Sequence, residues 1–438
     1  VLAALLLAAA GLVRAAQESP PPAGQPPTVV ITDYQVQRFA IPDCFPRRPD
    51  DASRDACQTI TQVLKKDIAF ENLFRFVPDN LLRAIPPLNP DAPNFTDWQG
   101  IGATVLVVTR AEVTGGDVAV EAKVHFVDNG QTLLSKRYSG RADNPRLFAH
   151  QISDDIMALA QYRGVARTKI AFSSDRDTPK GSRRARELYI MDYDGHNPRR
   201  VTVNRSLNIL PAWSPDGRTL TYVSYRQGVP DVFAAFIYEG RSANLTGGQG
   251  QSFAPSWHPQ GKKIAYASSR SGNMEVWTAG ADGGGARRLT SSAGLDTAPA
   301  WSPTGEEIAF TSDRAGTPQI YLMDAEGLNV RRLTTVGNYN DGASWNPSRL
   351  YSEIAYTSRL EGGGFDIAVI DLASRQVRQI TQGRGSCEYP SWAPSGRHLV
   401  FSCKQGGRWQ VTVSDRLGQN IQTLPAGPGN NVYPDWGP

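Results

Sequence analysis

From residue 165 onward the chain repeats one short segment six times. The copies read Pro-Ala-Trp213-Ser-Pro-Asp-Gly, Pro-Ser-Trp257-His-Pro-Gln-Gly, Pro-Ala-Trp301-Ser-Pro-Thr-Gly, Ala-Ser-Trp345-Asn-Pro-Ser, Pro-Ser-Trp392-Ala-Pro-Ser-Gly and Pro-Asp-Trp436-Gly-Pro. Successive tryptophans stand 44, 44, 44, 47 and 44 residues apart. A period of this size restricts the fold to a solenoid, a propeller or an array of small units. Other signatures share the period: Ile308-Ala-Phe310 after the Trp turn, Ile320-Tyr-Leu-Met-Asp324-Ala-Glu-Gly327 further on, and Arg332-Leu-Thr334 near the end of the unit. Each unit thus holds four strands, A to D, with tight turns at Ser-Pro-x-Gly and Asp-x-x-Gly. Four-stranded units of about 40–45 residues are propeller blades.

The two ends of the repeat tell how the ring closes. Its first unit starts at strand B, Lys169-Ile-Ala-Phe172, and its last segment, Val432 to Pro438, supplies only a strand A. The C-terminal segment is expected to pair with Lys169–Ser173, giving six blades and removing an open sheet edge. Residues 165–438 are therefore read as a six-bladed propeller. The tryptophans are read as packing between blades, not as a binding motif.

Residues 28–163 read as a separate α/β domain. Thr28–Tyr34 and Leu73–Val77 are expected strands. Asp55–Ala69 is an expected helix, with Ile60, Val63, Leu64 and Ile68 on one face. Ala103–Val113, Asp117–Val127 and Gln131–Ser139 are expected strands joined at Gly115-Gly116 and Asn129-Gly130. A last helix is expected from Asn144-Pro145 to about Tyr162, stopped by Gly164. Ahead of this domain, Val1–Val13 is almost wholly apolar and is followed by Arg14-Ala15-Ala16. That pattern suits a secretory leader, truncated at its start, over residues 1–15. Residues 16–27 form a proline-rich tether.

Four cysteines fall in two local pairs, Cys44/Cys57 and Cys387/Cys403, neither with zinc-ligand or redox spacing. Two disulfides in an oxidising compartment fit them, with free buried thiols as the alternative. The net charge of +4 gives no ground for nucleic-acid binding, and the densest basic group, Arg183, Arg184 and Arg186, reads as a solvated loop. The Asp192-x-Asp194-Gly195 run begins like a calcium loop, but its twelfth position is Val203. No H-E-x-x-H or G-x-S-x-G motif occurs. No metal, cofactor, catalytic group or membrane span is expected, and the exported product is expected to be a monomer.

Function is expected on the face that carries the B–C and D–A loops, because rigid scaffolds present recognition residues on variable loops. Those loops include 247–253, 293–298, 337–342, 383–388 and 427–432. Candidate contact residues are Gln251, Ser252, Phe253, Asp296, Thr297, Ala298, Asn340 and Asp341.

The join between the two domains is the most distinctive stretch: Trp98-Gln-Gly-Ile-Gly-Ala103, Phe126-Val-Asp128, the His150–Leu159 helix, then Arg167-Thr-Lys-Ile-Ala-Phe172. Together with the leader and the six Trp units it resembles the TolB family of periplasmic Tol–Pal proteins, over nearly the whole chain. That resemblance implies a non-enzymatic adaptor. It would bind the peptidoglycan-associated lipoprotein Pal through the propeller loops and the inner-membrane protein TolA through its free N-terminal segment, here Gln17, Glu18 and Ser19. Such a cycle supports outer-membrane integrity and constriction at division. The enzyme alternative is a periplasmic hydrolase or lyase with its site at the channel mouth.

Overall fold

A computed structural model of the protein describes residues 37–178, 185–359 and 363–438. The leader, the tether with Gln17, Glu18 and Ser19, the Thr28–Tyr34 strand, and Arg183 and Arg184 lie outside the described residues.

The N-terminal domain is built on one mixed sheet of β1 (Arg38–Ala40), β2 (Phe45–Pro46), β3 (Arg75–Phe76), β4 (Val105–Thr114), β5 (Asp117–Phe126) and β6 (Thr132–Arg141). The order is β3-β1-β4-β5-β6, with β2 also paired to β4. Alternation along β4 sorts its side chains. Val105 and Val107 pack with helices α1 (Asp51–Glu71) and α4 (Arg146–Leu159). Leu106 and Val108 face the other way, onto Trp98 of the short helix α3 (Phe95–Gly100), which follows the single turn α2 (Asp79–Leu82). Helix α1 begins four residues before the apolar periodicity does, because Asp50 caps it by accepting from the Ser53 N–H at 2.7 Å. It stops at Asn72, whose φ of 54° is left-handed. A disulfide joins Cys57 of α1 to Cys44, with Cα atoms 4.9 Å apart, so the preceding excursion is tied to the helix.

The ring has six four-stranded blades. Blade 1 takes strand A from the C-terminus (Asn431–Trp436) and strands B to D from Lys169–Ser174, Glu187–Asp192 and Arg199–Arg200. The expected closure is seen directly, with Trp436 opposite Ile170 and Asn431 opposite Ser174. Strands A of blades 2 to 6 are Asn208–Trp213, Ser252–Trp257, Asp296–Trp301, Tyr339–Trp345 and Cys387–Trp392. Neighbouring A strands touch all the way round, so they form the inner wall.

Every A strand carries a bulge between the residues four and one before its tryptophan. The residue three before the Trp has positive φ in each: Leu210, Ala254, Ala298, Gly342, Tyr389 and Tyr433. In five blades it is not glycine and costs roughly 1–2 kcal/mol each, a strain repeated at the same place round the channel.

Blades are held together by polar groups at fixed register. A threonine after strand D accepts from the second strand-C N–H and donates to the first strand-C side chain. Thr246 does so with Val232 and Asp231, and Thr334 with Ile320 and Gln319. The residue five before the strand-A tryptophan bonds to a serine near the end of strand B: Asn208 with Ser224, Ser252 with Ser268, Asn340 with Ser358. In blade 6 a disulfide between Cys387 and Cys403 takes that same register position. Between blades, Trp257, Trp345 and Trp392 donate Nε1–H to Thr221, Ala300 O and Ser344 O of the preceding blade at 3.0–3.1 Å. The Asp-x-x-Gly turns press against the same neighbour. A Cβ on Gly327 (φ 87°) would lie 2.5 Å from Leu289 O, which is why the position is glycine.

Candidate docking surface

The A–B and C–D turns of blades 1 and 6 are covered by the N-terminal domain. Phe70, near the end of α1, stacks on His398 with ring centroids 4.3 Å apart and meets Tyr193 and Trp436 at 5.1 and 6.3 Å. The Phe70 carbonyl accepts from His398 Nε2 at 2.8 Å. Burial holds this imidazole down at about 4, so it is neutral in the fold. Glu71, 3 % exposed, accepts from Arg397 and from the Val165 N–H. Burial pushes its carboxyl up, and Arg397 opposes that. Asp67 accepts from Tyr193 Oη at 2.6 Å and lies 2.8 Å from His150 Nδ1.

The opposite face carries the B–C and D–A loops and the wider interest. The residue four before each tryptophan forms a ring at the channel mouth: Ile209, Phe253, Thr297, Asp341, Glu388 and Val432. One arc is apolar and the other acidic. Asp341 accepts from Thr311 Oγ1 at 2.8 Å and from Tyr339 Oη at 3.2 Å. Glu388 accepts from Ser386 Oγ at 3.1 Å. Burial pushes the Glu388 carboxyl up and the charge of Asp341 adds to this. Next to them Tyr389 and Tyr433 meet edge to face at 4.4 Å. Burial raises Tyr389 most, with the two carboxylates adding.

The candidate residues divide in two. Gln251 is exposed, and Phe253, Thr297, Ala298 and Asp341 are half-buried at the mouth. Ser252, Asp296 and Asn340 have no exposed surface, which corrects their reading as contact residues. Each turns away from the mouth, Ser252 onto Ser268 of its own blade and Asn340 partly onto Gln319 of the preceding blade. Asp296 pairs with Arg314 at 2.8 Å, and Asn340 bonds to Gln319, the Val336 carbonyl and Ser358. Glu388, Tyr389 and Tyr433 belong to the mouth and were missed as individual residues. The signal was present: reading the column four residues before each Trp places Glu388 beside Asp341. Within the described residues no helix is long and apolar enough to cross a membrane.

The architecture defines the class: a six-bladed propeller closed by its C-terminal strand, with an α/β domain docked over the closure and an open loop face opposite. The chain belongs to the TolB family. The TolB β-propeller domain profile matches residues 157–438, and the TolB amino-terminal domain profile matches residues 28–133. Among curated relatives, a Tol-Pal system protein TolB of Geobacter metallireducens is 38% identical over 178 residues, covering 40% of each chain. One of a Ruegeria species is 32% identical over 230 residues, covering 51% of each. The chain thus spans about two fifths to a half of the curated relatives' length in these matches. The crystal structure of TolB from Acinetobacter baumannii superposes with a TM-score of 0.77 at 27% identity, covering 92% of this chain and 97% of that one.

Proposed function

We infer that this chain is a periplasmic adaptor of the Tol–Pal system. It takes a Pal-like lipoprotein at the channel mouth and engages a TolA-like inner-membrane protein through the segment that includes Gln17, Glu18 and Ser19. Family membership supports the first part, together with relatives named for that system. The observation that carries the docking site is the two-sided mouth. It has apolar Ile209 and Phe253 on one arc, acidic Asp341 and Glu388 on the other, all set on a rigid wall facing away from the covered junction. A ring of this kind recognises a protruding segment by shape and charge together.

The test is capture of a purified Pal-like lipoprotein by the full chain and by a Phe253→Ala/Thr297→Arg variant. The variant should lose capture while its thermal midpoint is kept. Capture at the parent level would remove the mouth from the reading. Deleting residues 16–27 should leave Pal capture intact and abolish TolA capture, and retained TolA capture would refute the tether's part.

A second reading as a hydrolase or lyase draws on the Asp341–Glu388 pair, since a carboxyl raised by burial beside another carboxylate is a common general acid. Turnover of a periplasmic sugar or peptide that Glu388→Gln abolishes would favour it over the adaptor.

A further inference from the structure

A cluster at the domain junction stands apart from the mouth. His150 of α4 is 3 % exposed. Its Nδ1 is engaged with Asp67, whose other oxygen accepts from Tyr193. The imidazole is thereby fixed with Nε2 turned away from Asp67. That Nε2 is buried and has no hydrogen-bond partner. The closest acidic oxygen, Asp194 Oδ2, is 4.0 Å away, too far for a hydrogen bond. Asp192, from the same C–D turn of blade 1, completes a group whose ligand atoms all lie within 4.8 Å of one another. His196 Nδ1 stands 3.2 Å from Asp194 Oδ1, within reach as a further donor.

An imidazole held by a carboxylate through one nitrogen, with the other nitrogen presented to acidic oxygens, is how proteins orient a histidine toward a metal ion. One nitrogen and two carboxylate donors suit zinc-class divalent ions better than calcium or magnesium, which favour all-oxygen sets. The charges permit it. Asp67, Asp192 and Asp194 face two cations, Arg146 on Asp194 and Lys169 on Asp192, which leaves one negative charge for an ion that takes the place of any proton on His150 Nε2. We propose that a zinc-class ion binds His150 Nε2, Asp194 and Asp192, in competition with Arg146 for Asp194. Two ligands come from the propeller and one from the N-terminal domain, so the ion staples the domains together.

The experiment is calorimetric titration of Zn²⁺ into the tag-free, EDTA-stripped full chain, with thermal melts in parallel. One saturable site is expected, with a raised melting midpoint on zinc addition. His150→Ala and Asp194→Asn should weaken binding by about 10-fold or more and abolish the midpoint shift. Arg146→Gln should tighten binding, because it frees Asp194. A merely structural cluster would not give that last result, and Arg146→Gln remains informative if His150→Ala fails to fold. Absence of saturable zinc binding in both the parent and Arg146→Gln overturns the site. So does unchanged affinity in a folded His150→Ala, or a protonated Nε2 that persists by nitrogen NMR at saturating zinc.

Discussion

The two faces of the propeller use the same residue types for opposite ends. On the turn face, charges are buried and paired: Glu71 with Arg397, Asp67 with His150 and Tyr193. On the loop face, Asp341 and Glu388 keep partial exposure and lack ion pairs among the described residues. A carboxylate buried beside an arginine has its hydrogen-bonding capacity spent inside the fold. A half-buried one that accepts from hydroxyls and, in Asp341, from the adjacent Gly342 N–H still has capacity for an incoming group. The difference separates residues that hold the domains from residues that can meet a partner.

The sharpest way to break this contrast is Arg397→Ala. It leaves Glu71 buried and uncompensated, and losing one partner of a buried pair costs about 3–5 kcal/mol. Equilibrium urea unfolding should show the loss. A change under about 1 kcal/mol would mean the junction is not where this face gains its stability. Next comes Cys387→Ser with Cys403→Ser. Closing a loop of this length contributes about 3 kcal/mol in the chain-entropy picture. Serines at a register where other blades use Asn/Ser or Ser/Ser should restore only a hydrogen bond, of about 1 kcal/mol. A double variant as stable as the parent would make the blade 6 disulfide redundant with the polar pairing of the other blades.

His398 gives the turn face a pH signature. A free histidine titrates near 6.5, and in the fold this one is held at about 4. Above pH 6.5 both states are neutral and the contribution is whole. Between 6.5 and 4 the unfolded chain takes up a proton that the native chain refuses, so stability falls as pH falls, and the loss is complete below 4. The gap corresponds to about 3 kcal/mol. Asp435 acts with the opposite slope. Burial raises its carboxyl to about 6, while the Trp213 N–H and Ser391 oppose the rise. The measurement is therefore the parent minus His398→Gln in urea midpoints from pH 7.5 to 4. A difference that stays flat across the window would remove His398 as its source.

The sequence states the ring, its six blades and its closure because a 44-residue period is a global constraint readable one unit at a time. The junction was not legible in the same way. Glu71 and Arg397 are 326 positions apart, Asp67 and His150 are 83 apart, and no periodicity links them. Helices α2 and α3 were missed because four or six residues give too few turns for an apolar face to repeat. The mouth was half legible. The loops were located, but a residue at the edge of a loop can point outward or into its blade. Only the cross-strand register tells that Asn340 meets Ser358.

That ambiguity supplies the smallest and most discriminating effect, at two neighbouring positions. Asp296 has no exposed surface and is paired with Arg314, which also donates to Ser312. Thr297 is half-buried at the mouth, beside the left-handed Ala298. Asp296→Ala should cost roughly 2 kcal/mol or more, since it strips a buried charged hydrogen bond, and it should lower partner capture only in step with the folded fraction. Thr297→Ala should move stability by less than about 0.5 kcal/mol, so any loss of Pal-like capture it causes comes from the surface itself. Paired urea curves and capture titrations on the two variants separate the roles. If Asp296→Ala remained fully stable yet lost capture, the first residue of strand A would have to be reassigned from the blade's interior to its recognition edge.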